Sequence, residues 1–250
     1  MSNIINLYHK SQDYFCRGIS LKYLSFGTNA HAYMTGIATA NFNPVCIQKN
    51  TEDLEKILLQ SEDFYEQEKL FFSLVISEEL CSKQTQNTLT SMGYTKIDTS
   101  VCMYFSLQDF SVQKSFDIKA SDKNLSHWIV PLISAFESSE KVGLSYAKAH
   151  EHALNNKFNF YHFSLYIKEK PIASITLSIN GTIARIDDVG TLPEFQRQGY
   201  ATRLMNHVLS QAKKLGAEHC FLEASDAGLS IYQKLGFTAL FKNNIYGKKI

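Results

Sequence analysis

The segment between residues 160 and 216 constrains the fold most, because it combines three strand patterns, a turn and a helix pattern. The strand patterns are apolar runs at 160–167, 172–179 and 182–189. Asn180-Gly181 separates the last two runs, and this pair favours a tight β-hairpin. The apolar residues that follow repeat at helical spacing and predict one buried stripe, formed by Leu204, Val208, Ala212 and Leu215. Gly216 is placed to end this helix. The segment therefore predicts an antiparallel meander that leads through a short turn into an amphipathic helix.

The rest of the chain continues the alternation of helices and strands. Further predicted elements are helices at 126–137 and 145–155, a strand at 220–223, and, in the first half, a strand at 70–76, a helix at 83–92 and a strand at 99–107. Asp122 is placed to cap the helix at 126–137. The pattern indicates an α/β (α+β) fold with a mixed sheet.

Two short motifs indicate a repeat of domain size. Leu235-Gly236-Phe237 ends a predicted helix in the second half, and Met92-Gly93-Tyr94 ends one in the first. The two glycines lie 143 residues apart. The polar stretch 108–115, between strands predicted at 101–107 and 116–120, is the best boundary. We therefore predict two domains, residues 1–110 and residues 111–250.

Composition restricts the class of protein. The chain has 250 residues, of which 44% are hydrophobic and 20% charged, so it can bury a core and is not disordered. Its apolar runs are far shorter than the roughly 18 residues of a membrane span, and the first residues show no export signal. Five cysteines, none in a C-x-x-C pair, predict reduced thiols. We expect a soluble cytoplasmic protein without membrane partners.

Charge is distributed unevenly along the chain. Residues 1–110 carry 8 Lys and Arg against 12 Asp and Glu, whereas residues 111–250 carry 17 against 12. The overall charge of +1 is too weak for nucleic-acid binding, but the basic second half suits a small anionic ligand. His150 and His152 lie two apart in a predicted helix and point to different sides, and we expect no metal site.

The residues from 187 to 202 predict a strand that runs into a turn, and the turn opens a helix. The first amides of a helix have no partners within the helix and lie at the positive end of its dipole, so they bind phosphate oxygens. Gly199 has no Cβ, which lets a diphosphate approach the backbone closely, and Ala201 is small for the same reason. Arg197 adds positive charge. The segment predicts a site for a diphosphate.

Two motifs resemble a known family. Gln196-Arg197-Gln198-Gly199-Tyr200-Ala201 matches the signature Q/R-x-x-G-x-G/A, and Tyr232-Gln233-Lys234-Leu235-Gly236-Phe237, one helix and one strand later, matches Y-x-x-x-G-F. In these motifs residues 116–250 resemble the GNAT superfamily of N-acetyltransferases, which bind acetyl-CoA. The resemblance implies the GNAT-like acyltransferase fold, and the repeat implies two tandem GNAT-like domains. Residues 1–110 have no Q-x-x-G-x-A match and resemble a degenerate copy that does not hold CoA in the same way.

The resemblance also implies which residues bind acetyl-CoA. In such enzymes the strand before the signature separates from its neighbour, its backbone pairs with the pantetheine arm, and the turn holds the diphosphate. The implied binding residues are Val189, Gly190, Thr191, Gln196, Arg197, Gln198, Gly199, Tyr200, Ala201, Thr202 and Ser225. Ser225 takes the place of an asparagine that is frequent in the family. Tyr232 would be the general acid that protonates the departing thiolate, and the alternative is a core tyrosine packed behind the sheet.

The general base is harder to assign, because related enzymes use either a strand carboxylate or a chain of water molecules. Asp187 and Asp188 are the candidates, and since adjacent strand residues point to opposite sides, only one should face the cleft. We favour Asp188. The structural alternative for either is pairing with Arg185 or capping a turn, and Glu223 is a further candidate base.

The leading functional hypothesis is therefore an N-acetyltransferase. It would transfer the acetyl group from acetyl-CoA to a primary amine of a small molecule or peptide, by direct attack in a ternary complex and without a metal, as a monomer or homodimer. One alternative is a non-catalytic acyl-CoA-binding sensor or regulatory module. Another is a different donor, either a longer acyl-CoA or an aminoacyl-tRNA. The lack of a basic cluster argues against the tRNA version. We expect the loop around 138–143, strand edges and the first half to select the acceptor.

Overall fold

The structure, a computed structural model, describes residues 2–108, 110–111 and 118–248. Its helices are α1 (Ser2–Ile19), α2 (Leu54–Glu66), α3 (Lys83–Ser91), α4 (Leu125–Ala135), α5 (Glu140–Asn155), α6 (Tyr200–Lys214) and α7 (Asp226–Lys234). Its strands are β1 (Lys22–Phe26), β2 (Ala30–Met34), β3 (Pro44–Ile47), β4 (Ser73–Ser77), β5 (Tyr94–Ser106), β6 (Ile118–Ala120), β7 (Phe160–Ile167), β8 (Lys170–Asn180), β9 (Ile183–Thr191), β10 (His219–Ala224) and β11 (Thr238–Lys248). The described strands form one sheet in the order β1-β2-β3-β4-β11-β5-β10-β9-β8-β7-β6. The predicted mixed α/β fold is confirmed.

Strand order and direction repeat between the two halves. In the first half, β1 pairs with β2 and β2 with β3 in antiparallel direction, and β3 pairs with β4 in parallel direction. In the second half, β7, β8, β9 and β10 pair in the same order and the same directions. The helix that connects the parallel pair is α2 in the first repeat and α6 in the second. The last strand of each repeat pairs with the other repeat, because β5 lies between β11 and β10 while β11 lies between β4 and β5. Neither repeat therefore contains a whole sheet of its own.

The two faces of the sheet carry different helices over the second repeat. On one face, Leu204 and Val208 of α6 pack in a core with Ile175 and Ile186 of β8 and β9. On the other face, α1, α4 and α5 pack together in an apolar cluster that includes Phe15, Trp128, Ile129 and Tyr146. Helix α1 belongs to the first repeat by sequence, yet its Tyr8 packs with Phe221 of β10 and Phe241 of β11. The first repeat thus covers one face of the second.

The hairpin and the helix predicted in the second half are confirmed. Asn180 pairs with Ile183 across a turn in which Gly181 has φ +60°. Three residues of the predicted stripe on α6 are fully buried, namely Leu204, Val208 and Ala212. Leu215 is wrong as a stripe residue, because it follows the last helical residue and is 43% exposed. Gly216 follows it with φ +87°.

Several elements differ from the predictions. The elements of the first half before residue 70 were not predicted, and α5 begins at Glu140 rather than 145 because the Ser139 hydroxyl accepts a hydrogen bond from the Val142 N–H. Asp122 is not the cap of α4, since Asn124 holds that position and Asp122 instead accepts from the His162 N–H. Of the boundary predicted at 108–115 and the strand at 116–120, residues 109 and 112–117 lie outside the described residues. The domain limits stay a prediction.

Candidate active site

The parallel strands β9 and β10 separate partway along their length. They pair only as far as Ile186 and Leu222, after which β9 remains paired with β8 up to Thr191 and β10 remains paired with β5 up to Ala224. Within the described residues, no strand pairs with the open edge of β9 over 187–191. Apart from the Thr191 carbonyl, which accepts a hydrogen bond from Gln196 Nε2, its backbone N–H and C=O groups on this edge can therefore bind an extended ligand.

The N-terminus of α6 lies at the end of this opening. Gly199 holds the position before the helix with φ +80°, and a Cβ on it would meet no atom within 4 Å. In the part of the chain that the structure describes, no side chain caps α6 and its first turn carries no acidic residue. The first amides of the helix therefore lack a side-chain acceptor within the described residues, and such amides bind phosphate.

Two glutamine side chains hold the turn before α6, one by a contact with β9 and the other by a contact within the turn. Gln196 Nε2 donates to the carbonyl of Thr191 at 3.1 Å, and Gln198 Nε2 donates to the carbonyl of Glu194 at 3.0 Å. Arg197 is exposed and has φ +58°. The other predicted residues on this turn of helix are Tyr200, which packs edge-on against Phe195, half-buried Ala201 and exposed Thr202. These contacts hold the turn open without filling the space in front of it.

Two of the predicted binding residues have structural contacts of their own. A Cβ on Gly190 would lie 2.7 Å from Leu132 Cδ2, so this glycine allows α4 to pack closely on β9. Val189 packs partly against the core under α6. Ser225 is exposed and precedes α7, but among the described residues its side chain accepts no capping hydrogen bond.

A β-bulge at Asp188 changes the direction of the two adjacent carboxylates. Thr176 is paired with Asp187 and Ser174 with Gly190, so β9 carries one residue more than β8 here, and Asp188 has φ +58°. Asp tolerates this left-handed conformation better than most residues. Both carboxylates consequently point to the face covered by α1, α4 and α5, where each has its own partner. The prediction that they point to opposite sides is wrong.

Asp188 reaches a cavity between α4 and α5. Its Oδ1 accepts a hydrogen bond from the Tyr146 hydroxyl at 2.7 Å, and its side chain is 10% exposed. Burial, together with the like charge of Asp187, raises the pKa of Asp188 to about 7. The cavity measures about 550 Å³ and is lined by Thr39, Asn41, Phe42, Ile129, Leu132, Ile133, Phe136, Glu137, Ser138, Ser139, Val142, Gly143, Tyr146 and Asp188. It includes the loop predicted to select the acceptor and a segment of the first repeat.

Asp187 and Glu223 are engaged by one arginine. Arg185 Nε lies 3.0 Å from both carboxylate oxygens of Asp187, and Arg185 Nη2 lies 3.2 Å from Glu223 Oε1. Glu223 also accepts hydrogen bonds from Tyr8 and Gln12 of α1. Although burial opposes its charge, Arg185 and the hydroxyls of Tyr8 and Ser100, which donate to this carboxylate, hold the pKa of Glu223 below its ordinary value. Glu223 is therefore a poor base, and the Arg185 pairing foreseen as an alternative for Asp187 is present.

Tyr232 on α7 is buried in the core that α6 forms with the sheet. It packs edge-on against Phe237, and its hydroxyl has no hydrogen-bond partner among residues 2–108, 110–111 and 118–248. Burial, and then the charge of Asp187, raise the pKa of this phenol above its ordinary value. Tyr232 therefore stays protonated at neutral pH. It packs in the core, as one interpretation held, but its hydroxyl remains available.

Sequence reasoning missed Tyr146 and His150, both of which approach Asp188 from α5. The bulge that aims Asp188 at α5 has no local sequence signal beyond an aspartate that tolerates positive φ. Among the described residues, no group of three or more His, Cys, Asp or Glu side chains could hold a metal ion. The described helices include none that is both long and apolar enough to span a membrane.

Comparison with known proteins identifies similar sequences. Residues 127–237 match the model of the acetyltransferase (GNAT) family. The chain is 34% identical over 100 residues to the uncharacterized N-acetyltransferase CgeE of Bacillus subtilis (strain 168), a match that covers 35% of this chain and 39% of that protein. The chain thus spans about two fifths of that relative's length.

Solved structures share the architecture over nearly the whole chain. A GCN5-related N-acetyltransferase from Kribbella flavida superposes with a TM-score of 0.69 at 14% identity, covering 97% of this chain and 95% of that one. A tandem GNAT protein from the clavulanic acid biosynthesis pathway superposes with a TM-score of 0.57 at 11% identity, covering 87% of this chain and 77% of that one. At these identities the likeness concerns the fold, and it confirms the predicted GNAT-like fold.

Proposed function

Because residues 127–237 make this chain a member of the GNAT family of acetyltransferases, we propose that it transfers an acetyl group from acetyl-CoA to a primary amine. The amine attacks the thioester directly while both substrates are bound. The observation that carries this proposal is the opening between β9 and β10, which ends at the uncapped N-terminus of α6. An extended arm with a diphosphate at one end fits these two features together.

Acetyl-CoA binding falls to backbone groups and to the turn. The pantetheine arm pairs with the free edge of β9 at Val189 and Thr191, and the diphosphate lies on the amides of residues 198 to 202. Arg197 contributes positive charge at the exposed rim. Gly190 takes part through its backbone, since its lack of a side chain serves the packing of α4.

Asp188 acts as the general base. A pKa of about 7 places this carboxylate where a base works best near neutral pH, and its position in the wall of the cavity brings it to a bound amine. The Tyr146 hydroxyl fixes one of its oxygens. Asp187 acts indirectly, because its negative charge increases the proton affinity of Asp188 while Arg185 holds it in place.

Tyr232 acts as the general acid. Its phenol is protonated at neutral pH and has a free hydroxyl, so it can give a proton to the thiolate as the C–S bond breaks. The acceptor binds in the 550 Å³ cavity, whose apolar residues come from α4, α5 and the first repeat. We propose an acceptor whose amine is carried on an apolar body, because few charged side chains line the wall.

The binding step is tested by calorimetry on the full chain with acetyl-CoA. We expect one molecule per chain, and we expect Gly199→Glu to weaken binding by at least 100-fold through steric and charge conflict with the diphosphate. Gly27→Glu is the matched control, because Gly27 also has positive φ and open space but lies in the β1–β2 turn. Unchanged affinity in Gly199→Glu would contradict the proposed site.

Catalysis is tested by thiol release from acetyl-CoA across a panel of amines. We expect arylalkylamines and long alkylamines to be better acceptors than polyamines of similar length. Acetyl-CoA binding without thiol release for any amine would favour the alternative of a non-catalytic acyl-CoA sensor. A preference for polyamines would contradict the assignment of the apolar cavity to the acceptor.

A further inference from the structure

Four titratable side chains form a line from Asp188 to the protein surface. His150 Nε2 lies 3.5 Å from Asp188 Oδ2, and His150 Nδ1 lies 2.8 Å from His162 Nε2. His162 Nδ1 lies 2.9 Å from Asp122 Oδ1. Both histidines are fully buried, whereas the Asp122 side chain is 33% exposed. The line therefore connects the wall of the cavity with a partly exposed carboxylate.

Aromatic residues enclose the two histidines. The Trp128 ring lies 4.5 Å from the His150 ring and 4.9 Å from the His162 ring, between ring centroids. Phe15 and Phe160 pack on His150 from further sides. Burial lowers the pKa of both histidines, so both are neutral at pH 7. A neutral imidazole has one N–H and one lone pair, which allows it to pass a proton from one nitrogen to the other.

The contacts along the line determine where the protons lie. Asp122 Oδ1 accepts from the His162 backbone N–H at 2.6 Å, and a proton on His162 Nδ1 completes its second contact. His162 Nε2 then carries the lone pair and accepts from His150 Nδ1–H. His150 Nε2 then carries no proton. Among the described residues, neither this nitrogen nor Asp188 Oδ2 has a hydrogen-bond partner. The line has three contacts, and imidazole protons occupy two of them. The contact without a proton, between His150 Nε2 and Asp188 Oδ2, is the longest.

We propose that His150, His162 and Asp122 form a relay that carries the proton taken up by Asp188 out to solvent while the acceptor occupies the cavity. The inference rests on the proposed function for the source of that proton. A proton on Asp188 Oδ2 supplies the missing third proton and turns the 3.5 Å contact into a hydrogen bond. Transfer to His150 Nε2 then releases Nδ1–H to His162 Nε2, and His162 releases its own Nδ1–H to Asp122.

The reaction balances with this path. An ammonium acceptor brings three protons on its nitrogen, and one of them remains on the amide product. A second replaces the proton that Tyr232 gives to the CoA thiolate. The third leaves through Asp188 and the relay to Asp122, so one proton is released to solvent for each acetyl group transferred.

The groups around Asp188 favour transfer along this line. The like charge of Asp187 on β9 repels a charge on Asp188, whereas Arg185 is engaged by Asp187 and Glu223. The other titratable groups that face Asp188, its cavity or its immediate partners are Tyr146 and His150 from α5, Glu137 from the loop after α4, His162 from β7, Glu223 from β10, and Tyr8 and Cys16 from α1. Of these, His150 is the one aligned with the free Oδ2.

The outlet of the relay is tested by steady-state kinetics of Asp122 variants in the full chain. Asp122→Asn keeps an oxygen acceptor for His162 but cannot take on a proton, so we expect kcat to fall about 10-fold and its solvent deuterium isotope effect to rise. KM for both substrates and Tm should stay close to the wild-type values. Asp122→Glu, which retains the carboxylate, should recover kcat to within about 3-fold. Asp98→Asn is the matched control, because exposed Asp98 also accepts from a backbone N–H.

A wild-type kcat and isotope effect in Asp122→Asn would overturn the relay. Equal losses in Asp122→Asn and Asp122→Glu would overturn it as well, because they would indicate a geometric role for the aspartate. The combination of loss in the amide variant and recovery in the glutamate variant supports it.

Histidine tautomers give a readout that does not depend on activity. In long-range ¹H–¹⁵N spectra of the full chain, we expect His150 and His162 to carry their protons on Nδ1, with the His150 Nε2 signal shifting between pH 6 and 8 as Asp188 titrates. Asp188→Asn should abolish this shift. Nε2-protonated rings, or a His150 signal that does not respond to Asp188, would overturn the relay. If the wild type binds no acetyl-CoA, the proposed function fails, while these spectra still decide whether the proton path exists.

Discussion

The two crossover connections of the sheet have the same topology, but the side chains at the start of their helices differ in charge. In the second repeat, α6 follows Arg197 and Gly199, and its first turn has no acidic residue. In the first repeat, α2 follows Glu52 and Asp53 and has Glu55 in its first turn. Carboxylates at a helix N-terminus occupy the position of a bound anion and repel a second one. The fold therefore provides two helix starts of the same kind, and side chains decide that only one is open to a diphosphate.

At other corresponding positions too, the first repeat lacks a feature of the proposed site in the second. Tyr232 lies four residues before Gly236, and the residue four before Gly93 is Leu89, a buried apolar side chain. The register between β2 and β3 runs without a shift, whereas β8 and β9 contain the bulge at Asp188. The first repeat thus has neither the phenol nor the turned carboxylate. What it keeps is structural, because it supplies α1, the cavity residue Phe42 and strand β5 to the second repeat.

The largest effect is expected from removing the first repeat altogether. A fragment of residues 111–250 lacks β5, so β10 loses its antiparallel partner and β11 loses both neighbours. We expect the fragment to show no cooperative thermal transition and no acetyl-CoA binding, measured by calorimetry. A cooperative transition together with binding would break the comparison, because the second repeat would then be complete alone.

Asp188→Asn should lower kcat by about 10²–10⁴-fold, since the amide cannot accept a proton. The wild-type rate should rise with pH through about 7, where Asp188 ionises, and Asp188→Asn should lose this acidic limb while keeping its acetyl-CoA affinity. Asp187→Asn should retain the limb, because Asp187 faces Arg185 rather than the cavity. A limb lost in both variants or in neither would contradict the assignment of the base.

The same substitution should have the opposite effect on stability. The folded-state pKa of Asp188 is raised from 3.8 to about 7, so the folded protein binds more protons than the unfolded chain between these values. Wild-type stability is therefore lost as the pH rises through 7. Asp188→Asn should increase the free energy of unfolding by roughly 1–4 kcal/mol at pH 8, with a gain that disappears toward pH 4. Denaturant titrations at the two pH values check this, and destabilisation at pH 8 would contradict it.

Tyr232→Phe should reduce kcat by at least about 10-fold while acetyl-CoA affinity stays nearly constant, because the hydroxyl acts only when charge develops on sulfur. Phenylalanine keeps the ring and its contact with Phe237, so Tm should change little. Kinetics and calorimetry on the same preparation separate the two effects. Full activity in a folded variant would mean that the phenol only packs in the core.

The smallest effect is expected at the start of α2. Glu52→Gln together with Asp53→Asn removes two charges from this helix start, but no glycine turn lies before it. We expect calorimetry to show one acetyl-CoA per chain, with an affinity within about 2-fold of wild type. A second bound molecule would sharpen the comparison, because it would show that carboxylates alone close the first site.

Sequence reasoning succeeded where the information is local. The hairpin at Gly181, the stripe on α6 and the glycine turn depend on neighbouring residues, and each can be recognised from spacing and residue type. The cluster around Glu223 could not be predicted, because Tyr8 meets it from 215 positions away. The bulge that turns Asp188 depends on packing between strands, so alternation along the sequence gave the wrong side. The relay could not be predicted either, because Asp122 and His162 are 40 positions apart in the sequence.

The pairing of β5 and β11 with strands of the other repeat also has a consequence for how the protein is synthesised. Strand β11, which follows the other described strands in the sequence, inserts between two strands that are synthesised much earlier, near the middle of the sheet. While the ribosome translates the residues between β5 and β11, β4 and β5 each expose an unpaired edge of backbone groups. Such edges pair readily with other nascent chains, so slow translation after residue 106 prolongs the period of aggregation risk. The sheet can close only when residues 238–248 have left the exit tunnel.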